Sequence, residues 1–220
     1  MNLLTGATLT LVGVNGSAII LQFLALAGRW ALLAQAQTGG FAARAALAEA
    51  AQGSDALVAG AVGLSLLTLA PAYVVSSFWI YNAACNIRAL GARGMQISPG
   101  WAVGWFAVPI ASLMMPFQGM EEIYLASGSP ISWKKLKTPL LLRIWWGAWL
   151  MAGLGGYIIG IFSRMLGTAL PDIVFATQLA MADLALSITC CVMFLTIVWR
   201  VHRAQSHSHA TLGSVAEVFA

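Results

Sequence analysis

Ser98 to Ser127 reads SPGWAVGWFAVPIASLMMPFQGMEEIYLAS, an apolar run with two interior prolines and a pair of glutamates. Its apolar centre, Trp101 to Phe117, would reach about 25 Å as an unbroken helix, which is at the short limit for crossing a bilayer. Two prolines lie inside it. Pro109 removes a helix hydrogen bond and crowds the preceding turn, and Pro116 repeats the problem. Glu121 and Glu122 then return the chain to water. The expectation is a helical segment over 98–127 that breaks at membrane depth and is re-entrant, entering and leaving on one side. A fifth full crossing is the alternative.

Composition fixes the solvent around this segment. Of 220 residues, 60% are hydrophobic and only 8% charged, against about a quarter charged in a soluble domain. So few charges cannot cover the surface, and lipid must be the solvent for much of the chain. In hydrocarbon every backbone N–H and C=O has to be paired internally, which leaves helices or closed barrels. The apolar runs are too long and continuous for the alternating strands of a barrel. The fold class expected is all-α: a multi-pass transmembrane helical bundle with four spans plus the broken segment.

The spans expected are 3–28, 56–81, 139–162 and 173–199, within one transmembrane domain over 1–203. Residues 204–220 read as a polar, disordered cytoplasmic tail. The first run lacks a basic region ahead of it and is too long for a signal sequence, so it reads as a retained anchor. Phe41 to Ala51 reads as a short surface helix. Pro71 lies within the second span, whose helical pattern continues through Asn82, Asn86 and Arg88 toward Gly91. Gly13 with Ser17, and Gly156 with Gly160, offer small faces for close helix contact. Cys85, Cys190 and Cys191 form no CxxC pair and read as buried small hydrophobes.

Charge sets the orientation. The net charge of +4 comes from Lys and Arg scattered over several loops, which suits cytoplasmic loops and anionic headgroups better than nucleic acid. With the broken segment re-entrant, Arg88, Arg93, Lys134, Lys135, Lys137, Arg143, Arg200 and Arg203 share one side, against Arg29, Arg44 and Arg164 on the other. Five crossings give the same balance, so the positive-inside rule does not choose between them. Both arrangements put the carboxyl terminus in the cytoplasm.

The stretch Trp79 to Ser127 resembles the bacterial membrane family known as domain of unknown function 4328. The resemblance rests on Trp79, Ala83, Asn86, Arg88, Ala89, Leu90 and Gly91, on SPGWAVGWFAVPIA from Ser98 to Ala111, and on Pro116 to Ser127. Trp145 and Trp146 also look like the family's tryptophan pair. Ser112, Phe117 and Tyr124 depart from the asparagine, tyrosine and tryptophan usual there. The resemblance implies a bacterial inner-membrane protein and a fold. It implies no activity and no catalytic residues.

Candidate polar positions are few. Asp183 is the one acid well inside a span, where a carboxylate is costly and points to proton or cation handling. The plainer reading is a protonated or paired Asp that fixes helix packing, with Arg29 or Gln22 as its partner. Glu121 and Glu122 are adjacent, so they point about 100° apart on a helix and do not converge as an acid/base pair. Pairing of at least one with Arg88, Arg93 or the Lys134–Lys137 cluster is expected. Asn86 and Arg88 anchor the same interface, or Arg88 reads a headgroup phosphate. His202, His207 and His209 have no helical i, i+4 spacing and no acid beside them, so no metal site is expected. No cofactor motif is present.

These features suit a non-enzymatic scaffold, regulator or accessory subunit acting through the bilayer and a membrane-protein partner or a homo-oligomer. A small transporter or channel component, using the broken segment and Asp183, is the alternative. A lipid-modifying enzyme built on Glu121, Glu122 and Arg88 is a third reading, without a matched nucleophile.

Overall fold

The computed structural model describes residues 2–39, 41–167 and 169–218, leaving the side chains of 41–49 and 209–218 undescribed. Among the described residues there are six α-helices and no strand: α1 (Leu3–Thr38), α2 (Phe41–Ala89), α3 (Pro99–Gly104), α4 (Met115–Gly128), α5 (Leu140–Met165) and α6 (Leu170–Val218). Four of them, α1, α2, α5 and α6, are long and apolar enough to cross a membrane. The protein is therefore an all-helical integral membrane protein.

The helices run further than hydropathy suggests. α1 continues ten residues past Gly28, and α2 starts at Phe41 without a separate surface helix. α6 runs on through Val218, so no break sets off the polar tail expected from residue 204. Pro71 sits inside α2 without ending it. α2 ends at Ala89, and Gly91 follows with φ +86°, a conformation for which a residue lacking Cβ is suited.

The described residues fall into two compact units. The first comprises Met1–Val12, Pro71–Trp146 and Val192–Ala220; the second comprises Gly13–Ala70 and Gly147–Cys191. Hydropathy, which sees only apolar runs, does not announce this division.

In the first unit the segment 98–127 is broken, as expected. Ser98 caps α3 by accepting from the Trp101 N–H at 3.3 Å. After Gly104 the chain tightens into a 3-10 turn over Trp105–Ala107. Val108 is then extended (φ −93°, ψ 115°), as steric pressure from the following Pro109 requires. The two prolines differ in role. Pro109 stands at the break, whereas Pro116 lies in the first turn of α4, where its missing N–H costs nothing.

Between them, Ile110 adopts φ 66° and ψ −53°, and Ala111 N–H donates to the Pro109 carbonyl at 2.7 Å. This i→i+2 bond around a positive φ is a γ-turn of the rare, strained kind. The chain then folds back: a Cβ at Gly119 of α4 would lie 3.6 Å from the Ala102 Cα of α3. The pair forms a short helical hairpin.

Candidate functional site

The base of the hairpin is held by Arg88 and Glu122. Glu122 is only 7% exposed. Its two carboxylate oxygens accept from consecutive backbone N–H groups, Gln96 at 2.9 Å and Ile97 at 3.3 Å. Arg88, at the end of α2, donates to the carbonyls of Ala84 and Ile97. Charge-assisted bonds of this kind are stronger than neutral ones, and they satisfy backbone groups that a turn between helices leaves without partners.

This corrects the expected pairing. Among the described residues neither glutamate forms an ion pair with Arg88, Arg93 or the lysines, and the Arg88 fork spans carbonyls. Glu121 instead accepts from the Thr138 hydroxyl.

A second connection lies beside it. Asn86 donates to Gln205 Oε1 at 3.0 Å, while Gln205 Nε2 reaches the Ala83 carbonyl at 3.2 Å and the Ser127 Oγ at 3.0 Å. The Ser127 hydroxyl in turn donates to the Ile123 carbonyl at 2.6 Å. Gln205 and Ser127 are both buried, so a satisfied network joins α2, α4 and α6 within the first unit. Neither residue stands out in the sequence. The only available signal was a lone amide in the basic run after Arg200, which local pattern cannot connect to Asn86.

Aromatic rings fill the rest of the unit. Trp79 and Trp145 pack on Phe194 with centroids 6.0 and 5.9 Å away. Trp146 donates its indole N–H to the Leu113 carbonyl at 3.2 Å, which ties the hairpin's far end to α5. Trp145 and Trp146 are both buried.

Asp183 belongs to the second unit. It lies against Gly155 and Gly156 of α5: Cβ atoms there would come within 3.5 and 3.2 Å of its carboxylate oxygens. Its Oδ1 is buried without a hydrogen-bond partner. The expected partners are committed elsewhere, Arg29 to Asp55 at 3.2 Å and Gln22 to the Ser65 hydroxyl at 2.9 Å. Asn15, 4% exposed, links α1 to α2 through the Ser65 carbonyl and Thr68 Oγ1, both at 3.0 Å. The small faces differ from those read in the sequence as well. Gly160 and Gly13 meet open space, while Gly16 faces the Cys191 Cβ at 3.6 Å. All three cysteines are free.

The remaining polar candidates do not converge. Among the described residues no group of three His, Cys, Asp or Glu is spaced to hold a metal ion, and the His209 side chain lies outside them. The family model described as "Domain of unknown function (DUF4328)" matches residues 42–203. The chain belongs to the DUF4328 family. The match takes in the hairpin, the Arg88–Glu122 clamp, Asp183 and most of each unit, and its printed description names no activity. No curated protein and no solved structure matches the chain. For this DUF4328 protein the polar groups of the first unit hold the backbone in place, while in the second unit Asp183 is a half-buried carboxylate with one buried oxygen unpaired.

Proposed function

We propose that this DUF4328 protein is a non-enzymatic scaffold or accessory subunit of the bacterial inner membrane, with its carboxyl terminus cytoplasmic and the hairpin over 98–127 re-entrant from the cytoplasmic side. The observation that carries the reading is the apex of the hairpin. Ile110 is 84% exposed at the γ-turn, with Met114 and Leu113 exposed beside it. α3 is six residues, about 9 Å, far short of a crossing. Irregular backbone at membrane depth is tolerated against protein or water and not against lipid. An apolar apex excludes water, so a protein surface is its natural cover: a membrane partner or a second copy of this chain.

A photo-crosslinking side chain placed at Ile110 in intact cells tests this. A discrete protein adduct that is absent from the same probe at Leu66 supports the scaffold reading. Adducts with lipid alone at both positions sink it.

A second reading rests on the orphaned Oδ1 of Asp183. An unpartnered carboxyl within a span suits proton or cation handling in a small transporter or channel. Loss of a defined flux from proteoliposomes in Asp183→Asn, with the variant still folded, would favour it over the scaffold. An unchanged flux, or none in either protein, removes its support.

A further inference from the structure

We propose that the loop between α4 and α5, together with Arg93, is a docking surface for anionic phospholipid. The loop turns once at Trp133–Lys135. Trp133 is buried, and its indole N–H donates to the Arg93 carbonyl at 3.1 Å. This bond draws the two loops that flank the hairpin together. Lys134 folds back with its Nζ 5.5 Å from the Trp133 ring centroid and against Gly94, where an added Cβ would collide with it. Arg93, Lys134, Lys135 and Lys137 are exposed on this surface.

Among the described residues of the first unit none forms an ion pair with them. The two acids of that unit whose side chains are described are engaged, Glu121 by Thr138 and Glu122 by the backbone at Gln96 and Ile97. The single ion pair among the described residues, Arg29–Asp55, lies in the second unit. Among the described residues these cations have no carboxylate partner, which leaves them open to a countercharge from outside the chain.

Position and apolar exposure choose its source. Lys137 stands three residues before Leu140, where the membrane-spanning helix α5 begins, so these cations lie at headgroup level. Ile131 is 97% exposed between them and α4, and Leu136 and Leu140 are also exposed. A free anion has no use for exposed Ile and Leu side chains, whereas a phospholipid offers a phosphate to the cations and acyl chains to the apolar residues. The occupant is a lipid with net negative charge, such as phosphatidylglycerol, not a zwitterionic one.

The test uses the purified, delipidated full chain in neutral detergent, with bound lipid counted by native mass spectrometry. Phosphatidylglycerol should bind at least ten-fold more tightly than phosphatidylcholine, and binding should weaken as salt rises. Lys134→Gln/Lys135→Gln/Lys137→Gln should lose phosphatidylglycerol affinity by about five-fold per charge removed. Arg164→Gln, in the second unit, should bind as wild type. Lys135→Gln/Lys137→Gln, which spares the Lys134–Trp133 contact, should show the same trend if the triple variant unfolds. Ile131→Ser should weaken lipid binding without a change of charge. Equal binding of the two lipids overturns the proposal, as does wild-type affinity in the lysine variants. Competition by inorganic phosphate at equal affinity, with Ile131→Ser unaffected, overturns the lipid source.

Discussion

Arg88 and Glu122 hold the same residue from opposite sides: Arg88 donates to the Ile97 carbonyl, and Glu122 accepts from the Ile97 N–H. Each charge is satisfied by the backbone of the loop that leads into the hairpin. Because Glu122 is buried, removing its second acceptor leaves a donor without a partner, and the effect on stability should be larger than for a surface ion pair.

Glu122→Gln should therefore lower stability by about 1–3 kcal/mol, because a neutral amide offers one oxygen to two N–H donors. Arg88→Lys should cost a comparable amount, since a point charge cannot span two carbonyls as the guanidinium fork does. Thermal unfolding in neutral detergent measures both. The double variant should cost less than the sum, because both act on Ile97. Strict additivity would show that the two side chains act independently.

Much of this arrangement was legible in the sequence at the level of elements. Pro109 in a short apolar run announced the break, and Arg88 and Glu122 marked its flanks. What local pattern could not carry is the choice of partner. Opposite charges near one interface suggest an ion pair, but the turn from α2 into α3 leaves backbone groups that compete for the same side chains and win. Gln205 lies 119 positions from Asn86, beyond any helical periodicity. The GxxxG spacing pointed to Gly156 and Gly160 together, yet only the direction of α5 decides that one meets Asp183 and the other meets open space.

Gln205→Leu roughly keeps the side-chain volume but removes the three bonds that Gln205 makes in the buried network. It leaves the Asn86 amide, the Ala83 carbonyl and the Ser127 hydroxyl short of partners, and should cost about 2 kcal/mol or more. Gln205→Glu retains an acceptor for Asn86 but loses both donors, and should also destabilise. A melting temperature within a degree of wild type for both variants would mean that the network contributes nothing net.

Ile110→Gly should stabilise the protein by about 1 kcal/mol. A β-branched residue at φ 66° is strained, glycine is not, and the side chain is so exposed that its removal forfeits little packing. The same comparison in detergent checks this. A clear loss of stability would show that the side chain is held in a packed environment. Under the scaffold reading the variant should also lose partner capture at the apex.

Gly156→Leu should destabilise the second unit strongly, because a Cβ alone already crowds the Asp183 carboxylate at 3.2 Å and over-packing typically costs 1–3 kcal/mol. Gly160→Leu should be nearly silent, as open space surrounds it. Combining Gly156→Leu with Asp183→Ala should recover part of the loss by clearing the notch. Equal damage from Gly156→Leu and Gly160→Leu would point to a helix face on α5 different from the one that meets Asp183.

The crossing number can be decided by single cysteines at Arg93 and Lys135 in a variant lacking Cys85, Cys190 and Cys191. Gly94 is unsuitable because its φ of +73° and its contact with Lys134 would strain any side chain. Arg93 and Lys135 are exposed, and the Trp133–Arg93 hydrogen bond ties their two loops. Under the re-entrant reading this 3.1 Å bond keeps the two loops on one face of a hydrocarbon layer about 30 Å thick. A membrane-impermeant maleimide should therefore label both positions in inside-out vesicles and neither in intact spheroplasts. Labelling from opposite sides would require Trp133 to release Arg93 and the hairpin to open into a fifth span, which the strained turn at Ile110 and the extended Val108 oppose.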